Sequence, residues 1–164
     1  STSRRQRQMC IRDRGGSLHD KLAEAGARLC VETLDALKAG TVTPEKQGDS
    51  PTAYAKMLDK HMGKIDWKMS AKEIERLIRG LNPWPSAYTR WNENDKGMKI
   101  WEAEVAEGQT DKAAGTVVEV AKDGFFVQTG DGLLKITALQ IPGKKRMDAA
   151  AFLRGYQMET GTVL

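Results

Sequence analysis

Residues 115–139, GTVVEVAKDGFFVQTGDGLLKITAL, contain three short runs of β-branched, aromatic and aliphatic side chains. The runs are separated by Asp123-Gly124 and by Gly130-Asp131-Gly132, and both separators carry an Asp-Gly pair. Asp-Gly between apolar runs is a strong signal for a tight hairpin turn, because glycine tolerates the positive φ that such turns require. This stretch therefore predicts three strands joined by short turns.

Two similar runs precede this stretch, so the sequence predicts five strands: Ala87–Trp91, Met98–Val105, Gly115–Ala121, Phe125–Thr129 and Leu133–Leu139. Five short strands at this spacing are typical of a small five-stranded OB-like β-barrel. A last helix is predicted from Asp148, as N-cap, through Ala149–Arg154 to Gly155. Because helices also precede the strands, the predicted fold class is α+β.

The first of these helices is predicted from Ser17 to Ala39, where apolar residues recur near the helical period. Ser17 can act as the N-cap, since its hydroxyl can accept a hydrogen bond from a backbone N–H of the first turn, and Gly40 ends the helix. The helix is amphipathic, so its apolar face is expected to cover a sheet. The residues that follow, from 41 to 63, have the composition of a linker.

A second helix is predicted from a capping box. In Ser70-Ala71-Lys72-Glu73, the serine side chain can bond the backbone of Glu73, and the glutamate can reach back to the serine. This helix runs to about Leu81 and ends at Asn82-Pro83-Trp84-Pro85. Two closely spaced prolines restrict the backbone, so the segment is predicted to form a rigid corner.

The net charge of +4 is located entirely in residues 1–14, which hold five arginines and one aspartate. Residues 15–164 hold 21 basic and 21 acidic side chains, so a nucleic-acid site there must depend on a local patch. The segment RQRQMCIRDR within residues 1–14 resembles translated sequencing-adapter read-through. We therefore expect residues 1–14 to be an artefact; the alternative is a disordered basic arm that contacts phosphates.

Several classes of function have no support in the sequence. It has no run of about 18 apolar residues, so no membrane helix is predicted. Cys10 and Cys30 lack metal-ligand spacing, and His19 and His61 stand alone, so no metal site is predicted. Free cysteines favour a reducing, cytoplasmic location. The four tryptophans, Trp67, Trp84, Trp91 and Trp101, are predicted core residues, with Trp91 the best placed to stack on RNA.

Several segments together resemble the C-terminal part of the methionyl-tRNA formyltransferase family. They are GSLHDKL at 16–22, KIDW at 64–67, Ile74…Arg79, NPWP at 82–85, KIWEA at 99–103, TGDG at 129–132, Leu139-Gln140, GKKRM at 143–147 and FLRG at 152–155. The resemblance covers residues 15–161 in order. It implies that 15–40 is the last helix of a truncated Rossmann-like formyltransferase domain, 41–82 a linker and joining helix, and 83–161 an OB-like C-terminal domain.

The family transfers a formyl group from 10-formyltetrahydrofolate to the amino group of Met on initiator tRNA. Catalysis in the family depends on an Asn and a His in an Asn-x-His-Pro-Ser motif and on a later Asp, none of which is matched here. The resemblance therefore implies that this chain has no catalytic residue, binds no cofactor and is inactive alone. Its implied partners are initiator methionyl-tRNA and the missing N-terminal formyltransferase domain. No membrane partner is expected.

The C-terminal domain of the family helps to hold tRNA, and basic residues are the candidates for this role here. Five are predicted to bind tRNA: Lys144, Lys145, Arg146, Lys135 and Arg79. Lysine and arginine at such positions add affinity by contacting phosphates. Two alternatives stay open: a free-standing RNA-binding OB-type module with residues 1–14 as a basic arm, and a fragment of a sugar-nucleotide formyltransferase.

Overall fold

The computed structural model describes residues 14–46, 48–49, 54–91 and 94–164, without the side chains of 94–96. Within these residues, the α-helices are α1 (Gly15–Ala39), α2 (Ala71–Gly80) and α3 (Ala149–Gly155), and a 3₁₀ helix spans Lys60–Gly63. The predicted adapter segment or basic arm lies outside the described residues except for Arg14. No helix in the described ranges is long and apolar enough to cross a membrane.

In the described part of the chain, six strands form one antiparallel sheet: β1 (Ala87–Trp91), β2 (Asn94–Ala106), β3 (Val117–Ala121), β4 (Gly124–Gln128), β5 (Leu133–Gln140) and β6 (Met147–Asp148). Their order is β1-β2-β5-β4-β3, and β6 pairs with β5. The α+β class is confirmed, and each of the five predicted strands overlaps an observed one. The strand count of five is wrong, because a two-residue strand such as β6 is too short to show alternation.

The core lies between the sheet and the helices α2 and α3. Ile74 and Ile78 of α2 and Phe152 of α3 are fully buried, and they pack with Phe125 and the other buried side chains of the sheet. The predicted capping box positions α2: the Glu73 N–H donates to Ser70 Oγ at 3.3 Å, and the Ser70 N–H donates to Glu73 Oε2 at 2.9 Å. The Ser70 hydroxyl also donates to Glu73 Oε2, at 2.7 Å, and this bond together with the one from the Ser70 N–H lowers the pKa of the Glu73 carboxyl.

The corner after α2 is fixed by Ser86, which follows Pro85 and has a φ of 74°. Its N–H donates to the Leu81 carbonyl and its hydroxyl to the Pro83 carbonyl, both at 2.9 Å. Positive φ is uncommon for a residue with a Cβ and persists where the surroundings hold it. The rigid corner is thus present, but the prediction that Trp84 is buried in it is wrong, because this side chain is 54% exposed.

The helix α1 begins earlier than predicted. Arg14 is its N-cap, and the Ser17 hydroxyl lies inside the first turn, where it donates to the Arg14 carbonyl at 2.9 Å. The start of α1 packs closely against the end of α2: the Gly16 N–H donates to Asn82 O at 2.9 Å, and a Cβ on Gly15 would lie 2.3 Å from Gly80 O.

The rest of α1 is exposed. None of its residues is buried, and Leu22 and Leu29 are each 62% exposed. The helix ends at Gly40, which has a φ of 70° as expected for a left-handed C-cap. The amphipathic helix is therefore confirmed, but in this chain its apolar face covers no sheet among the described residues.

Candidate nucleic-acid interface

Among the described residues, the longest run of consecutive basic side chains lies in the turn between β5 and β6, which we call the basic loop (residues 141–146). It carries three successive basic residues, Lys144, Lys145 and Arg146, and all three are exposed. The Lys144 N–H closes the turn by donating to Ile141 O at 3.1 Å. Gly143 has a φ of 76°, a conformation that glycine adopts without a steric penalty.

Two side chains of the sheet hold the basic loop in place. Trp101 of β2 donates its indole N–H to Gln140 Oε1 at 3.2 Å. Gln140 of β5 in turn donates its amide to the Lys144 carbonyl at 2.7 Å. Because this chain of hydrogen bonds starts on two paired strands, it fixes the backbone position of the lysines.

Arg146 is held differently from the two lysines. Its guanidinium donates to Glu102 Oε1 at 2.6 Å and lies 5.5 Å from the centre of the Trp101 ring. Arg14 also pairs with Glu102. Burial of the Glu102 carboxyl works to raise its pKa, but the hydrogen bonds and charges of Arg146 and Arg14 outweigh this, so the pKa is lowered.

Lys144 and Lys145 have no carboxylate partner within the described part of the chain. Arg146 shares Glu102 with Arg14, so part of its charge is balanced by the protein. The two lysines are therefore the charges of the basic loop that are most available to an anionic ligand. An exposed lysine on a fixed turn can contact a phosphate without first breaking an ion pair.

The other two predicted tRNA-binding residues lie in ion pairs. Lys135 Nζ of β5 is 2.6 Å from Asp123 Oδ2 in the turn between β3 and β4, and this hydrogen bond raises the pKa of Lys135. Arg79 Nε of α2 is 2.5 Å from Glu75 Oε1. The structure thus brings Lys144, Lys145 and Arg146 together and pairs Lys135 with a different turn.

The fold places Arg79 near the residues that support Arg146, although it is far from the basic loop in the sequence. Arg79 lines a cavity of about 490 Å³ together with Trp101 and Glu102, which contact Arg146, and with Arg14, which contacts Glu102. The side chains of Arg79 and Glu75 are each only 23% exposed. This arrangement links α2 to the strand that supports the basic loop.

A second feature, which the sequence did not reveal, is a groove beside the basic loop that we call the Trp84 groove. It has a volume of about 590 Å³. Its lining comes from the 3₁₀ helix, the corner, β1, β2, the end of β5 and the residues after it: Lys60, His61, Trp84, Pro85, Tyr88, Gly97, Lys99, Gln140, Ile141, Pro142 and Gly143. Lys60 and Lys99 are far apart in the sequence, so only the folded sheet places them at one site.

The tryptophans other than Trp84 are engaged within the fold. Trp67 is buried and donates its indole N–H to Thr89 Oγ1 at 2.9 Å. Trp91 makes edge-to-face contacts with Phe152 and Tyr156, at ring-centre distances of 5.2 and 5.9 Å. Trp91 was the best sequence candidate for base stacking, and these contacts leave Trp84 as the better candidate.

Residues 57–157 match the protein-family model described as "Formyl transferase, C-terminal domain". Curated relatives include methionyl-tRNA formyltransferase of Lachnospira eligens, 51% identical over 93% of this chain, and that of Agathobacter rectalis, 47% identical over 90%. This chain spans 50% and 47% of those proteins, which is about half of their length.

Among solved structures, HypX from Aquifex aeolicus in complex with tetrahydrofolic acid has a similar fold. The TM-score is 0.61 and the identity 18%, and the match covers 93% of this chain and 29% of HypX. An A392F-I419F variant of HypX gives the same values. At this identity the likeness is evidence for the fold alone.

Proposed function

The chain belongs to the formyltransferase C-terminal domain family, and from this premise we propose that it holds tRNA for a methionyl-tRNA formyltransferase. The reaction that it serves transfers a formyl group from 10-formyltetrahydrofolate to Met on initiator tRNA. In this proposal the protein works in the cytoplasm, and the chain binds no cofactor and supplies no catalytic group. The names of the relatives favour a tRNA substrate over a sugar nucleotide.

The observation that carries the proposal is that Lys144 and Lys145 lie on a loop held by Gln140 and have no carboxylate partner among the described residues. Phosphate contacts contribute affinity and position the ligand, but they do not read sequence. A fixed loop is suited to this task, since less conformational entropy is lost when the lysines bind. Arg146, Lys135 and Arg79 have secondary roles here, because each must share its charge with a carboxylate.

The exposed face of α1 is the second support, because an uncovered apolar stripe is a surface suited to packing against the other half of the enzyme. The leucines of α1 form an apolar stripe on a helix that is anchored only at its first turn within the described residues. A stripe of this kind is normally buried against another element. We infer that residues 15–40 complete a Rossmann-like catalytic domain, 41–82 join it to the rest, and 83–161 form an OB-type barrel.

The test is a titration of initiator tRNA with the chain and with the Lys144→Ala/Lys145→Ala variant at several salt concentrations. Removing two phosphate contacts reduces the slope of log affinity against log salt by about two, or one per lysine. A matched control, Lys72→Ala/Lys112→Ala, removes the same charge at two exposed positions away from the basic loop. The proposal is wrong if both variants lose affinity equally or neither does.

A further inference from the structure

The Trp84 groove has a composition that the phosphate contacts of the basic loop do not explain. Trp84 is 54% exposed, although tryptophan is one of the largest apolar side chains and is usually well buried. It is exposed inside a concave surface and not on a convex one, since it lines the groove with Tyr88 and Pro85. An exposed aromatic side chain in a groove is a common feature of ligand sites.

The protein holds Trp84 in this position by its backbone. Ser86 adopts a positive φ of 74°. It donates two hydrogen bonds back into the corner, to Leu81 O and Pro83 O. Residues held in such conformations are concentrated at functional sites, because the surrounding structure must maintain them. Trp84 is therefore presented on a fixed support.

Tyr88, on β1, is confined by neighbouring backbone. A Cβ on Gly63 would lie 3.2 Å from Tyr88 Cδ1, and a Cβ on Gly97 would lie 2.9 Å from Tyr88 Cδ2. The backbone at Gly63 and at Gly97 therefore lies close to the two edges of the tyrosine ring. The groove consequently offers two aromatic side chains, Trp84 and Tyr88, at defined positions.

The charged side chains that line the groove have one sign. Lys60 and Lys99 line it together with His61, and none of its described lining residues carries a carboxylate. At its other end the groove includes Gly143, so it is continuous with Lys144 of the basic loop. Aromatic side chains inside a cationic groove match a ligand that has both a flat ring and negative charge.

We propose that the Trp84 groove binds an unpaired nucleotide of the RNA, with the base stacked on Trp84 and the adjacent phosphates beside Lys60 and Lys99. The inference deepens the proposed function, on which it rests, by adding a site for single-stranded RNA to the phosphate contacts of the basic loop. Stacking accepts any base because each base has a π face, so the groove selects unpaired over paired nucleotides and not one sequence.

The test uses the full chain and a single-stranded oligoadenylate of about eight nucleotides, a length within the range of such sites. Binding should quench tryptophan fluorescence in the wild-type chain, while a duplex of the same length should not. Trp84→Ala should weaken oligoadenylate binding between about five- and a hundred-fold, the range for loss of one stacked base. Trp84→Phe keeps a smaller ring and should lose less.

Tyr54→Ala is the matched control, because Tyr54 is a highly exposed aromatic residue that does not line the groove. It should bind oligoadenylate as the wild type does. Equal affinity of Trp84→Ala and wild type, or equal quenching by single-stranded and duplex RNA, overturns the inference. If Trp84→Ala fails to fold, the quenching comparison and Trp84→Phe decide.

The inference and the proposed function can fail separately. If Lys144→Ala/Lys145→Ala loses tRNA affinity while Trp84→Ala binds oligoadenylate normally, the groove is not an RNA site and the basic-loop proposal stands. If Lys144→Ala/Lys145→Ala binds tRNA normally while Trp84→Ala loses affinity for oligoadenylate, the groove is an RNA site and the basic-loop proposal is wrong. If the chain binds neither RNA, both are wrong.

Discussion

At the scale of single residues, ion pairs decide which cations can reach an RNA. The sequence places Arg146 beside Lys144 and Lys145 as an equal, but the fold gives it Glu102 as a partner at 2.6 Å. Lys135 likewise meets Asp123. A basic residue in such a pair contributes less to binding, because the interaction with its carboxylate must be weakened first.

The ion pairs of Glu102 with Arg146 and Arg14 lead to a prediction about pH. The pKa of Glu102 is lower in the folded chain than its ordinary value, so the unfolded chain takes up a proton at a higher pH. The stabilisation is therefore fully present above the ordinary carboxyl range and is lost as pH falls through the lowered value. Glu102→Gln should remove it at neutral pH, at a cost below about 1 kcal/mol because the groups are exposed to solvent.

This prediction is measured by urea unfolding of wild type and Glu102→Gln at neutral and acidic pH. The difference in unfolding free energy between the two should shrink as pH falls below the ordinary carboxyl range. Glu119→Gln, at an exposed position on β3, is the control and should show no such trend. A difference that is constant with pH would mean that Glu102 stabilises the fold through packing and not through charge.

At the scale of helices and strands, the features that the sequence predicted correctly are local. The capping box of α2 depends on Ser70 and Glu73, three residues apart, and Asp148 is the N-cap of α3 as expected. The start of α1 was misplaced, since Ser17 also suits an N-cap but the contact with Asn82 places the first turn earlier. Glu102 and Arg146 are 44 residues apart, so no local pattern could pair them.

The exposure of α1 predicts an unequal response to mutation. Leu22→Glu/Leu29→Glu changes two side chains that are 62% exposed, so the unfolding free energy of the sheet should change by less than about 0.5 kcal/mol. Ile78→Ala, in the buried face of α2, should cost about 2–5 kcal/mol by leaving a cavity.

Denaturant unfolding followed by fluorescence measures both changes, because Trp67 and Trp91 report on the sheet and not on α1. Hydrogen exchange gives an independent check: most amides of α1 should exchange faster than those of α2, since a helix without tertiary packing is marginal in water. Strong protection along α1, or a large loss of stability in the double-leucine variant, would mean that its apolar face is covered in solution, for example by a second copy of the chain.

At the scale of the whole molecule, charge separates two readings of the chain. Residues 1–13 hold four arginines and one aspartate, while residues 15–164 are neutral overall. The proposed function assigns RNA binding to a local patch near the basic loop. The alternative, a free-standing RNA-binding module, assigns much of it to the basic arm. The family and the class of fold follow from the sequence, but the choice between these two anchors depends on which cations the fold leaves unpaired.

Removal of residues 1–13 distinguishes the two readings. If RNA is held by Lys144 and Lys145, the shortened chain should keep its dependence of tRNA affinity on salt, with a slope that changes by less than about one. If the arginines contact phosphates, the slope should fall by about four, or one per arginine. A full-length variant with glutamine at these four arginine positions keeps the length of the chain and should behave like the shortened one. A slope that falls by about four in both variants would identify residues 1–13 as the main RNA anchor, and the basic loop would then be a solvated turn.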